Sequence, residues 1–226
     1  QIRSLNEINN DLRSKTKMFR ILQGDVGSGK TIVALISALN AINSGYQVAF
    51  MAPTEILARQ HYILAKKIYP SNINISLLTS KTETKDKRVA AEYLKKNITK
   101  IVFGTHSLFQ KKIIFKKLGY IIIDEQHKFG VKQRKQLSDK GGNDCDVLLM
   151  SATPIPRTLI MSVYGDMDIS IIKEKPKHRK EIRTYSKLES KIDDVIKFVK
   201  YEIKNKNQVF WVCPLIDESK KIDHQS

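Results

Sequence analysis

The chain has 226 residues, 41% hydrophobic, 8% aromatic and 28% charged, which is enough apolar surface for a buried core. Forty Lys and Arg against 23 Asp and Glu give a formal charge of +17, a balance that attracts polyanions because each cation near a phosphate releases condensed counterions. Two cysteines (Cys145, Cys213) and five scattered histidines (His61, His106, His127, His178, His224) exclude a disulfide framework and a protein-only metal site, and no apolar stretch approaches the roughly 20 residues of a membrane span.

The first fifteen residues, QIRSLNEINNDLRSK, mix both charge signs without an apolar core, so neither a secretory signal nor a transit peptide is expected and the cytoplasm is the expected compartment. From there the chain alternates. Apolar, β-branched runs predict strands at FRILQ (around Ile21), QVAFMAP (Phe50), ISLLTS (Leu77), KIVFGT (Phe103), LGYIIID (Ile122) and DVLLMSAT (Leu149). Between them, three- and four-residue apolar spacing predicts helices at Lys30–Asn43 (closed by Ser44-Gly45), Glu55–Ile68 and Lys85–Lys96. Strand and helix in alternation imply an α/β fold with a parallel sheet and helices on both faces. After Asp168 a basic run, KEKPKHRK, reads as a linker; a strand at Ile182–Tyr185, a helix at Lys191–Ile203 and a strand VFWVCPLI then open a second unit.

Parallel sheets bind ligands at the carboxyl ends of their strands, and those positions carry the unusual residues here. Gly24-Asp25-Val26-Gly27-Ser28-Gly29-Lys30-Thr31 matches the phosphate loop GxxxxGK(S/T), set between a strand and a helix. Its glycines let backbone N–H groups converge on phosphate, Lys30 reaches the β- and γ-phosphates, and the Thr31 hydroxyl serves Mg²⁺. Asp124 and Glu125 close an uncharged strand in the manner of a Walker B acid pair: Asp124 for Mg²⁺, Glu125 to orient and activate the attacking water. The expected ligands are therefore ATP and Mg²⁺.

The combination resembles superfamily 2 helicases. DEQH at Asp124–His127 and SATPIPRTL at Ser151–Leu159 are similar to motifs II and III, and APTEILARQH at Ala52–His61 to motif Ia. Within that superfamily GDVGSGKT, FGTHSLFQ, DEQHKFGVKQR, YGDMDIS and VFWVCPLIDES resemble the RecG family over nearly the whole chain. The transcription-repair coupling translocases share fewer of these motifs. The resemblance implies a P-loop NTPase of RecA-like fold, with Gln1 as the adenine-reading glutamine. It also implies DNA-backbone contacts at Pro53, Thr54, Arg59, Gly104, Thr105 and His106, and coupling between nucleotide and DNA through His127, Ser151 and Thr153. It divides the chain into a first RecA-like domain at 1–172, a linker at 173–187 and the first elements of a second RecA-like domain at 188–226.

Relatives of this kind also carry a wedge domain for branched DNA and a complete second motor domain with an arginine finger. The 226 residues alone are therefore expected to bind ATP and DNA weakly, with little hydrolysis and no unwinding. A transcription-repair coupling translocase, a non-catalytic DNA-binding remnant and an unrelated P-loop enzyme are the competing readings. Two positions depart from the RecG pattern: Ser80 and His178 stand where glycine is usual, which predicts a looser approach of DNA backbone at Ser80.

Overall fold

The structure is a computed structural model that describes residues 1–110, 112–125, 145–153, 167–174 and 182–212. It separates into two compact units, Gln1–Arg179 and Lys180–Ser226.

The first unit is built on seven strands: β1 Phe19–Gly24, β2 Gln47–Met51, β3 Ile75–Leu78, β4 Ile101–Gly104, β5 Leu118–Ile123, β6 Asp146–Ser151 and β7 Asp168–Ile172. They form one sheet in the order β3-β4-β2-β5-β6-β1-β7, and every neighbouring pair is parallel. Because successive side chains point to opposite faces, the two halves of each apolar run enter two different cores. Leu22, Val48, Phe50, Tyr120, Ile122, Leu148 and Met150 pack on one side with Ile8, Val33 and Ala65 from helices. Ile21, Ala49, Met51, Ile121, Ile123, Val147 and Leu149 pack on the other with Leu94 and Leu108. A sheet covered on both faces needs uninterrupted apolar strands, and that is why these runs stand out in the sequence.

The first face carries α1 (Ile2–Leu12), α2 (Lys30–Asn43) and α3 (Glu55–Ile68); α4 (Thr84–Lys95) and a 3₁₀ turn at His106–Phe109 supply the second. Helices α2 and α3 have the predicted bounds, and α4 begins one residue earlier than expected. Two elements escaped the sequence reading. Helix α1 buries only Ser4 and Ile8, its apolar stripe of Leu5, Ile8 and Leu12 being diluted by Asn, Arg and Glu. Strand β7 is a five-residue edge strand with two buried residues.

The buried Arg20 ties these elements together. Its Nε donates to Asp11 Oδ2 on α1 (2.7 Å) and its Nη1 to Ser170 Oγ on β7 (3.0 Å). Arg3 adds a bond from its Nη2 to the Ile171 carbonyl (2.9 Å), so α1 is fastened to the sheet edge along its length.

The second unit contains a 3₁₀ turn at Glu189–Lys191 and helix α5, Ile192–Lys204, with Asp193 and Asp194 in its first turn and Lys204 in its last, where each charge suits the helix dipole. The predicted strand at Ile182–Tyr185 is corrected: these residues are not in a strand and pair with none among the described residues, and a lone strand has no ladder to satisfy its backbone groups. Val209–Val212 is likewise not in a strand, and the rest of that predicted element lies outside the described residues.

Candidate nucleotide site at the carboxyl edge of the sheet

Because all seven strands run the same way, the segments after β1, β2, β4, β5 and β6 emerge at one edge. The strand order then sorts them. β5, β6 and β1 are neighbours, which groups the phosphate loop with Asp124, Glu125, Ser151 and Thr153; β2 and β4 place the Pro53 and Thr105 loops on the other half.

Strand β1 ends at Gly24 and α2 begins at Lys30, so the phosphate loop is the strand-to-helix turn itself, with Gly27 exposed within it. Gly29 caps α2 with φ 93°, a left-handed conformation that side chains resist. A Cβ there would lie 2.2 Å from Gln1 Nε2. That Nε2 donates to the Ser28 carbonyl at 2.7 Å, so the first residue of the chain braces the loop. Ser28 is buried, and its Oγ has no hydrogen-bond partner among the described residues. Lys30 Nζ donates to the carbonyls of Gly24 (2.7 Å) and Asp25 (3.1 Å). Burial pushes its pKa below the ordinary lysine value, against the opposing pull of the Asp124, Glu125 and Asp25 carboxylates. Lys30, Asp124 and Glu125 thus share one electrostatic neighbourhood, and Thr31 follows Lys30 in the first turn of α2.

Asp124 is buried, and its N–H continues the ladder to the Met51 carbonyl of β2 at 2.9 Å. Its carboxylate Oδ2 accepts from His61 Nε2 at 2.8 Å. Glu125 then turns into the left-handed region at φ 50°, a strained conformation for a residue with a side chain, and so diverges from the line of the strand. Ser151 ends β6, its Oγ accepting from Thr153 N (3.2 Å) and sharing a hydrogen bond with Thr153 Oγ1 (3.0 Å), a compact turn at the strand end. His127, expected to take part in coupling, lies outside the described residues, as does His178.

The model of the DEAD/DEAH box helicase family matches residues 1–161. The chain belongs to this family. It is 49% identical over 221 residues to the ATP-dependent DNA helicase RecG of Borreliella burgdorferi, covering 97% of this chain and 32% of the relative. It is 50% identical over 225 residues to that of Aquifex aeolicus, covering 99% and 28%. The solved structure of RecG bound to a three-way DNA junction superposes with a TM-score of 0.79 at 41% identity, over 95% of this chain and 29% of that one. The chain therefore spans about a third of the length of the relatives it matches. The DEAD-box helicase Mss116 bound to ssRNA, at 19% identity and TM-score 0.61, shares the fold.

The rest of this DEAD/DEAH box domain's carboxyl edge carries the residues expected to meet DNA, and several also hold the backbone. Thr54 caps α3, its Oγ1 accepting from Leu57 N at 3.3 Å, beside a half-buried Pro53. Arg59 is exposed, with Nη2 3.9 Å from Glu55 one turn earlier. Gly104 is buried at the end of β4, where a Cβ would fall 2.4 Å from the Leu78 carbonyl and 2.8 Å from Leu108, so strand packing alone demands glycine. Thr105 is half-buried and His106 exposed at the start of the 3₁₀ turn. Ser80 is exposed and is not among the residues of positive φ, so the departure from glycine costs no backbone strain. Sequence reasoning missed His61: the motif contained it, but only the fold shows that it meets Asp124.

No helix among the described residues is long and apolar enough to cross a membrane.

Proposed function

We propose that the chain is the nucleotide-binding motor unit of a RecG-type helicase that couples ATP hydrolysis to movement on branched or duplex DNA. The observation that carries this reading is the grouping of Lys30, Asp124 and Glu125 at one edge of the sheet, where both acids act on the lysine ammonium. Lys30 holds the β- and γ-phosphates, and the N–H groups from Gly24 to Thr31 cradle them at the start of α2. Gln1, already bonded to the loop, reads adenine.

The donors suit Mg²⁺. Thr31 offers a hydroxyl and Asp124 a carboxylate, both hard oxygens, and no group of three or more His, Cys, Asp or Glu among the described residues forms a closed metal cage. Such a donor set fits a small cation that keeps several waters and shares phosphate oxygens. Bound there, Mg²⁺ would neutralise charge on the phosphates. Glu125, aimed away from the strand by its left-handed backbone, orients the attacking water and accepts its proton. Ser151, Thr153 and His127 relay the state of this site toward Pro53, Thr54, Arg59, Gly104, Thr105 and His106, which grip DNA backbone without reading sequence.

Since the chain spans about a third of its RecG relatives, and an arginine finger supplied by another domain is worth about 10³ to 10⁵ in rate in related NTPases, the 226 residues tested alone should bind nucleotide weakly and hydrolyse little. Titration with a fluorescent ATP analogue tests the reading. Lys30→Ala should abolish binding while Glu125→Gln keeps it and removes residual turnover; equal affinity in wild type and Lys30→Ala would overturn the assignment.

A further inference from the structure

Helix α3 turns three residues inward, Ala58, His61 and Ala65. At the centre of such a stripe an apolar side chain is the ordinary choice. The chain instead buries an imidazole, which is unfavourable unless its ring nitrogens are satisfied. His61 stacks on Phe50 of β2, centroids 4.8 Å apart and planes tilted by 45°, and from that seat Nε2 reaches Asp124 Oδ2 at 2.8 Å. The two side chains are 9% and 11% exposed, so little water competes for the bond. A carboxylate can only accept, so the ring donates from Nε2, a charge-assisted hydrogen bond.

This is the only hydrogen bond of the Asp124 side chain among the described residues, and its backbone N–H is pinned to Met51. The acid is thus fixed at both ends, with Oδ2 occupied and Oδ1 left for another partner. Carboxylates that bind metal ions are held by outer partners in this way, and loss of such a partner commonly costs about 10- to 100-fold in metal affinity. Resting on the reading of Asp124 given under Proposed function, we infer that His61 is the positioning residue that holds this carboxylate ready for the divalent cation of the nucleotide. A second consequence follows from its seat. His61 is on the helix capped by Thr54 and bearing Arg59, so α3 links the expected DNA-gripping loop directly to the acid of the nucleotide site.

The test measures the affinity of the 226-residue chain for a fluorescent ATP analogue, once with saturating Mg²⁺ and once with the metal chelated. His61→Phe keeps the ring on Phe50 but has no donor; His61→Gln returns an N–H near the position of Nε2. With Mg²⁺, His61→Phe should bind about 10- to 100-fold more weakly than wild type, and His61→Gln should recover most of that loss. With the metal chelated, all three should agree within about twofold, because the residue acts on the cation and not on the phosphate loop. Equal losses with and without Mg²⁺ would mean a merely structural role and overturn the inference, as would a His61→Gln variant no better than His61→Phe, or a His61→Phe variant equal to wild type. Failure of the parent reading looks different: Lys30→Ala would then leave binding unchanged in both conditions.

Discussion

Replacing Gly29 by alanine tests the phosphate loop through its backbone, without touching a charged group. The residue sits at φ 93°, where an L side chain costs about 1–2 kcal/mol. The new Cβ would also fall 2.2 Å from Gln1 Nε2 and 2.9 Å from its Cδ, so the flexible Gln1 side chain must swing away and its 2.7 Å bond to the Ser28 carbonyl is lost, about 1 kcal/mol more. The loop can relax when it is not gripping phosphate, so this cost of about 2–3 kcal/mol appears in binding, which requires the wild-type turn. At about 1.4 kcal/mol per factor of ten, that is roughly 30- to 140-fold weaker nucleotide affinity. Gly45→Ala is the matched control: Gly45 has φ 86°, and its Cβ would meet nothing closer than Lys117 Nζ at 3.9 Å, but it lies beyond the far end of the 14-residue α2, about 20 Å away. It should lose stability and keep its affinity. Fluorescence titration of the three proteins decides. Affinity of Gly29→Ala within about threefold of wild type, or an equal loss in Gly45→Ala, refutes the reasoning.

Two further substitutions probe the frame around the site. Gln47 is fully buried at the start of β2, with Nε2 donating to the carbonyls of Leu94 (2.9 Å) and Thr99 (2.8 Å) and Oε1 accepting from Lys116 N (2.8 Å) and Lys117 N (2.9 Å). Gln47→Leu strands four backbone groups, two of them reachable by water beside exposed lysines, and should cost about 2–4 kcal/mol in urea unfolding at unchanged m; a loss under about 1 kcal/mol would show that the network is dispensable. Asp146, whose Oδ1 accepts from Met18 N at 2.8 Å, has its pKa raised above 3.8 by burial despite that bond. A carboxyl with a raised folded pKa destabilises the fold when ionised, so the penalty is present at neutral pH and disappears below the unfolded value. Asp146→Asn keeps an acceptor for Met18 and should raise Tm at pH 7, with the two proteins converging as the pH falls below 3.8; a variant that melts earlier at pH 7 would contradict this.

Legibility followed burial. Strands β2, β4, β5 and β6 lie inside the sheet and are almost wholly buried, so they read as apolar runs, whereas the edge strand β3, with only Leu78 buried, is legible from its Ile75–Leu78 composition; α2 and α3 are bounded by signals that stand in the sequence: Gly29 and Ser44-Gly45 around one, Thr54 before the other. Helix α1 and strand β7 lie at the edge, half-exposed, and what secures them is Arg20 reaching Asp11 on one and Ser170 on the other. An arginine inside an apolar run announces nothing about partners 9 residues before it and 150 after it. The Gly104 contact with the Leu78 carbonyl is invisible for the same reason, since it depends on the register of two strands. In the second unit, apolar β-branched runs suggested strands, but a run becomes a strand only where another offers its ladder.

The pair His61 and Asp124 shows how non-local chemistry is assembled from legible parts. Each belonged to a recognisable motif, yet 63 residues separate them and no spacing rule joins them. What joins them is strand order. β2 lies beside β5, so Asp124 at the end of β5 comes next to Phe50 of β2, on which His61 packs, and the Met51 carbonyl receives the Asp124 N–H across that same seam. The seam is also where the nucleotide half of the edge, after β5, β6 and β1, meets the half after β2 and β4. At the carboxyl end of this seam the buried bond from His61 to Asp124 joins the two halves, as Gln47 with the Lys116 and Lys117 N–H groups does at the other end.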